Sequence, residues 1–199
     1  MITTFLFDLG GVLFTNGTKK FIKEISLSHK ISENEVKDVI DGEIGSLYRE
    51  SKITRDEFWR QVIEKLHLNE SADVLEKQWI DGYEIISGTK QIIMELSNKY
   101  SLYYLSDNVK ERVDALDKKF DFLKLFKGGI FSHEVGVRKP NPKIYEFALN
   151  KSNSNPEQTV FIDDKAMMLK PAKILGINTI LFTTPDELLM TLKREKLLI

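Results

Sequence analysis

The sequence contains no cysteine, which excludes disulfides, thiolate nucleophiles and cysteine-ligated metals. Histidine is almost as scarce, and the spacing of His29, His67 and His133 suggests neither a metal cluster nor a catalytic pair. Charge of one sign is lacking too. Lysine and arginine total 29 against 30 acidic residues, a net charge of −1, so no global field draws the chain to nucleic acid or to an anionic membrane. Any phosphate binding must therefore be local. No apolar run approaches the roughly 20 residues needed to span a bilayer. No basic stretch precedes the first apolar run and no small-residue cleavage site follows it, so a cytoplasmic protein without a signal peptide is expected. The missing cysteines suit a reducing compartment. Internal repeats and low-complexity linkers are absent as well.

What is present is a chain of 199 residues, 42% hydrophobic and 30% charged, sufficient for one domain with a sizeable insertion or for two small ones. Short apolar runs rich in β-branched and aromatic residues recur at Ile2–Phe7, Ser101–Leu105, Gly129–Phe131, Thr159–Ile162 and Asn178–Phe182. They are too short for independent helices and read as buried strands. From Gly88 onward they alternate with helical patterns at Gly88–Tyr100, Lys143–Leu149 and Ala166–Leu175, the last closed by Gly176. This alternation predicts an α/β fold, with a central parallel sheet covered by helices on both faces.

Residues 15–83 break the pattern. Strand-like runs are missing there, and Ser32…Glu35 and Thr54…Glu57 carry the spacing of a capping box. After the second, Phe58, Val62, Ile63 and Leu66 share a helical face beside Trp59. The expectation is a helical module of residues 15–83 inserted into an α/β core of residues 1–14 and 84–199.

Acidic residues end two of the strand runs: Asp8 the first, and the Asp163-Asp164 pair the fourth. In a parallel sheet these ends share the carboxyl edge, where the ligand crevice forms. Taken singly, an aspartate after a strand is an ordinary turn former or helix cap. Together, on adjacent strands, three carboxylates repel one another unless a cation intervenes, and an oxygen-only ligand set favours a hard ion such as magnesium. Ser106 ends a third run. Lys139 lies in a loop stiffened by Pro140 and Pro142, with Asn141 placed to cap the following helix.

In this order, Asp8, Ser106, Lys139 and Asp163-Asp164 resemble the signature of the haloacid dehalogenase superfamily of hydrolases. FLFDLGGVL looks like its first motif, YYLSD its second, GVRKPNPKIYEFAL its third and VFIDD its fourth, and the similarity runs over nearly the whole chain. The resemblance implies a Rossmann-like core with an inserted α-helical cap. It implies Asp8 as a nucleophile that takes up the phosphoryl group and Lys139 as its charge partner. Ser106, Asp107, Gly11 and Asn16 would contact substrate. Asp8, the Gly10 carbonyl, Asp164 and Asp163 would hold Mg2+. The substrate would be a small phosphorylated metabolite. The DLG wording is most similar to sugar-phosphate phosphatases, including the glucose-1-phosphate type. Neither nucleic acid nor membrane is implied as a partner, and the chain is expected as a monomer or homodimer.

Four positions depart from the family pattern. Gly10 stands where its phosphatases usually carry a second aspartate, whose side chain protonates the leaving oxygen. Losing that acid matters least for an acidic leaving group such as the anomeric hydroxyl of a sugar 1-phosphate. Asp107 stands where many relatives have asparagine, and its charge either alters anion binding or points away. Met167 and Met168 replace polar residues near the metal-binding pair. Two other readings follow: a 2-haloacid dehalogenase using the same aspartate without metal, and a non-catalytic binding protein on this fold.

Overall fold

The computed structural model describes residues 1–198. Its centre is a parallel five-stranded sheet of β1 (Thr4–Phe7), β2 (Ser101–Ser106), β3 (Gly128–Phe131), β4 (Thr159–Asp163) and β5 (Asn178–Leu181), ordered β3-β2-β1-β4-β5. All five are the expected runs, shifted by a residue or two at their ends.

Strand periodicity divides the core in two. Phe5, Phe7, Val160 and Ile162 point to one face, Leu6 and Phe161 to the other, as successive side chains must. The first face is covered by α6 (Ser87–Ser97), through Ile92, Ile93 and Leu96, and by α11 (Pro185–Arg194), through Leu188 and Leu192. The second is covered by α9 (Pro142–Ser152) and α10 (Ala166–Ile174), whose Ile144, Tyr145, Leu169 and Ala172 are buried. Asn141 caps α9 with its side-chain oxygen on the Lys143 N–H, and Gly176 follows α10 with φ +86°. The sequence reading did not single out α11, although Thr184 caps it through the Glu187 N–H and Pro185 occupies its first turn.

Between β1 and α6 come five helices: α1 (Gly17–His29), α2 (Glu33–Ile40), α3 (Glu43–Arg49), α4 (Arg55–Leu66) and α5 (Ala72–Asp81). Ser32 and Thr54 cap α2 and α4 as their spacing predicts. The helices enclose an aromatic knot in which Phe21 stacks on Trp79 with ring centroids 5.0 Å apart, and Trp59 meets both edge-on. The two chain passages that join these helices to the sheet run side by side. Thr15 N–H donates to the Glu84 carbonyl, Glu84 N–H to the Thr15 hydroxyl, and Ile86 N–H to the Leu13 carbonyl. The buried apolar cluster continues across this crossing through Phe14 and Tyr83, so the helices and the sheet share one core.

The remaining helices, α7 (Lys110–Phe120) and α8 (Ser132–Val135), follow β2 and β3. At α8 the fully buried Ser132 hydroxyl accepts from the Asn108 N–H at 3.0 Å and lies 2.7 Å from the Arg49 carbonyl, to which it donates. It thereby fastens the end of α3 to the loop after β2. Ser132→Ala leaves two buried backbone groups without partners. It should lower unfolding free energy by about 2 kcal/mol in urea titration, whereas no measurable loss would show that this link is dispensable.

Candidate active site

Strand register builds the site. Phe7 is level with Ile162, so the next residues, Asp8 and Asp163, emerge side by side at the carboxyl edge of β1 and β4. Asp8 N–H still donates to the Ile162 carbonyl at 2.9 Å, which extends the ladder and fixes the carboxylate's origin. Ser106 ends β2 on the other side of β1, buried to 2% exposure.

Lys139 reaches into this group from the loop before α9. Its ammonium lies 2.9 Å from Asp8 Oδ1 and 2.6 Å from Asp163 Oδ2, and the side chain is almost wholly buried. Burial opposes its charge, but Asp8, Asp163 and Asp107 together outweigh it and hold the lysine above its ordinary pKa. Asp163 experiences the converse. Burial, reinforced by Asp8 and opposed by Lys139, pushes its carboxyl up to about 6. Its second oxygen accepts the Lys165 N–H at 2.8 Å.

Asp164 completes the cluster. Carboxylate oxygens of Asp8, Asp163 and Asp164 lie within 4.8 Å of one another. Asp164 Oδ1 is buried and accepts no hydrogen bond from the described residues, a costly state for a carboxylate oxygen. Burial, with Asp8 next, raises its pKa. Three carboxylates against one ammonium leave a formal −2 in a small volume. An unsatisfied carboxylate oxygen and an excess of two negative charges fit a hard divalent cation.

The other expected positions are placed as follows. Gly10 lines the cavity over the cluster, and a Cβ added there meets nothing within 4 Å. Gly11 backs Asp164 rather than lining the cavity: its φ is +90°, and a Cβ would fall 2.4 Å from Asp164 Oδ2, so only glycine lets this carboxylate approach. Asn16 lines the cavity while its side-chain oxygen caps α1 through the Lys19 N–H. The Asp107 carboxylate turns toward the lysine loop, accepting the Lys139 N–H at 3.0 Å and ion-pairing with Arg138 Nε at 3.3 Å. Asp107 also lines the cavity, so it braces the lysine loop from within the proposed substrate space. Met168 is buried and its carbonyl accepts from the Tyr145 hydroxyl, whereas Met167 is exposed; both line the cavity.

The cavity above the cluster measures about 970 Å³ and lies between the carboxyl edge and α1–α3. Arg112 and Arg138 also line it, and the sequence reading singled out neither. The signal for Arg112 was present: Val109, Val113 and Leu116 make one apolar face of α7, and Arg112 falls on that face at i+3 from Val109.

This site, on a parallel sheet with helices on both sides, defines a hydrolase class, and comparison with known proteins agrees. The family model described as haloacid dehalogenase-like hydrolase matches residues 2–176. The chain belongs to that family. It is 24% identical over 193 residues to D-ribitol-5-phosphate phosphatase of Bacteroides thetaiotaomicron, covering 90% of this chain and 91% of that protein. It is also 24% identical over 185 residues to the sesquiterpene phosphatase of Aspergillus oryzae, covering 89% of each. A 75-residue stretch is 40% identical to mouse bifunctional epoxide hydrolase 2, but it spans 38% of this chain and only 12% of that protein. Among solved structures, a family enzyme from Bacteroides thetaiotaomicron in complex with magnesium and inorganic phosphate superposes with a TM-score of 0.77. It is 25% identical, with 92% of this chain and 96% of that one covered.

The raised Asp163 pKa predicts that any cation bound at this cluster is held more weakly as pH falls. Its folded value near 6 exceeds the unfolded value of 3.8, so its contribution in metal-free protein disfavours folding. That penalty is absent below the unfolded value and complete above about pH 6. A cation offsets the penalty only where the carboxylates are ionised. Magnesium at about 100 times its Kd should add about 2.7 kcal/mol, or roughly 5–10 °C in Tm for a chain of this size, at pH 7.5. At pH 5 the gain should be much smaller. Equal shifts at both pH values, or none, would contradict this reading.

Proposed function

We propose that the protein is a magnesium-dependent phosphomonoester hydrolase of a small phosphorylated metabolite, with a phosphoryl group carried transiently on Asp8. The observation that supports it most is the cluster itself: a carboxylate at the end of β1, clamped by a buried lysine, beside a second acid with a free buried oxygen.

In this reading one Asp8 oxygen attacks phosphorus and the alkoxide leaves. Water then cleaves the aspartyl-phosphate and releases inorganic phosphate. Lys139 orients Asp8 and neutralises charge on the phosphoryl oxygens, and the Ser106 hydroxyl donates to one of them. Asp163 holds the lysine in position. Asp8, Asp164 and the Gly10 carbonyl, with Asp163 beside them, would hold Mg2+, whose positive charge stabilises the dispersed phosphoryl transition state. Residues 15–83 act as a cap that shields the reaction from bulk water and carries specificity, with Asn16 at its edge. The cation-ready acid cluster favours this reading over a metal-free dehalogenase. The ribitol-phosphate and sesquiterpene phosphatase relatives support phosphorylated small molecules as substrates. Within that class, the missing side-chain acid at Gly10 points to sugar 1-phosphates, whose leaving group needs protonation least.

A screen of sugar phosphates with magnesium should reveal turnover that is silenced by chelator and by Asp8→Asn. Activity surviving Asp8→Asn would belong to a contaminant and defeat the assignment.

Gly10→Asp restores an acid at a position with open space for it. It should raise turnover of primary alkyl phosphates by about 10²-fold and that of sugar 1-phosphates far less. An equal response from both classes would reject the leaving-group argument.

A further inference from the structure

The cavity holds more positive charge than the phosphoryl site uses. Arg49 and Arg112 are each only 5% exposed, yet both line it at the side formed by α3 and α7. The two are not equivalent. Arg49 is satisfied by the Asp41 carboxylate at 3.1 Å and the Ile40 carbonyl at 3.4 Å. Arg112 has no carboxylate within ion-pair distance among the described residues. One of its nitrogens donates to Asn108 Oδ1 at 3.3 Å, and its other N–H groups take no acceptor from the described residues. None of its nitrogens is both sealed from solvent and unbonded, so the free ones open onto the cavity.

The nearby carboxylates have other partners. Asp107 is engaged by Arg138 and the Lys139 N–H, Glu50 by Lys52, and Glu111 by the Tyr48 hydroxyl. Aromatic packing also holds Arg112 in place: its guanidinium carbon lies 3.9 Å from the Trp79 ring centroid and 5.9 Å from that of Tyr83. Stacking fixes the plane of the fork and leaves its edge free for a bidentate acceptor. Burial above all depresses the Arg49 pKa, Asp41 opposes the shift, and the neighbouring charges of Arg112 and Arg138 add to it.

We infer that Arg112, presented by Trp79 and Asn108, is a second anion subsite, and that the substrate carries a carboxylate or second phosphate besides the phosphomonoester that is cleaved. This rests on the hydrolase reading above and narrows its substrate class. A buried, rigid and half-bonded guanidinium is poor structural glue, because burial of its charge is compensated only when an anion arrives.

The test uses two matched probe pairs: 3-phosphoglycerate against glycerol 3-phosphate, which differ by a carboxylate, and fructose 1,6-bisphosphate against fructose 6-phosphate, which differ by a phosphate. In the wild type the anionic member of at least one pair should have a kcat/KM at least about 10-fold higher, mostly through KM, as one charge-assisted bidentate contact provides. The favoured pair shows whether carboxylate or phosphate is the natural group. Arg112→Leu should bring that ratio close to one, and Arg112→Lys should retain part of it. No preference in either pair would overturn the inference. So would a loss in the variants that falls equally on both members, which is what a purely structural role for Arg112 predicts. Calorimetric titration of the same pairs into Asp8→Asn protein separates the two proposals. A binding preference with no wild-type turnover of these probes or of sugar 1-phosphates sinks the hydrolase and keeps the subsite, whereas turnover without preference does the reverse.

Discussion

Everything at the carboxyl edge of the sheet depends on how one buried ammonium is shared. Lys139 touches Asp8 and Asp163 at once, and it cannot balance Asp164 as well. The protein has therefore folded around an incomplete electrostatic arrangement. An apolar wall alone could not support three carboxylates there. One lysine makes the cluster tolerable, and the remaining charge fits a small divalent cation better than a monovalent one. The loop bearing the lysine is held in turn by Asp107, whose two oxygens grip the Lys139 N–H and the Arg138 guanidinium. Asp107 thus positions the lysine from the wall of the cavity.

Much of this was legible in the sequence because local rules and the global fold agree. The five strands announce themselves as short apolar runs, and their adjacency follows from parallel α/β construction. Once β1 and β4 pair, Asp8 and Asp163 have to meet, since their separation is fixed by backbone register rather than by side-chain choice. The caps at Ser32, Thr54 and Asn141 were readable for the same reason: each is a short-range contest between a side chain and the backbone.

What stayed hidden depends on contacts between distant segments. Nothing local marks Asp107 as a brace; that role comes from the position of residues 138 and 139. Arg112 sits on an apolar helix face because Trp79, 33 positions earlier in the chain, supplies a ring for it to lie on. Gly11 lacks a side chain because Asp164 approaches it closely, a demand set by a residue about 150 positions further along the chain. Met167 and Met168 were grouped by adjacency, and the helix turns one inward and the other out.

The paired crossing at Thr15 and Glu84 has a consequence for how such a protein diversifies. The helical segment leaves and rejoins the sheet at a single point, tied by backbone hydrogen bonds. Closing a longer or shorter excursion at that point changes chain entropy only slowly with length. Helices can therefore be lengthened there without altering strand register, provided that the core shared through Phe14 and Tyr83 is refilled. Such a change would reshape the wall that α1–α3 give the cavity while the carboxylates, rooted in the sheet, stay where they are.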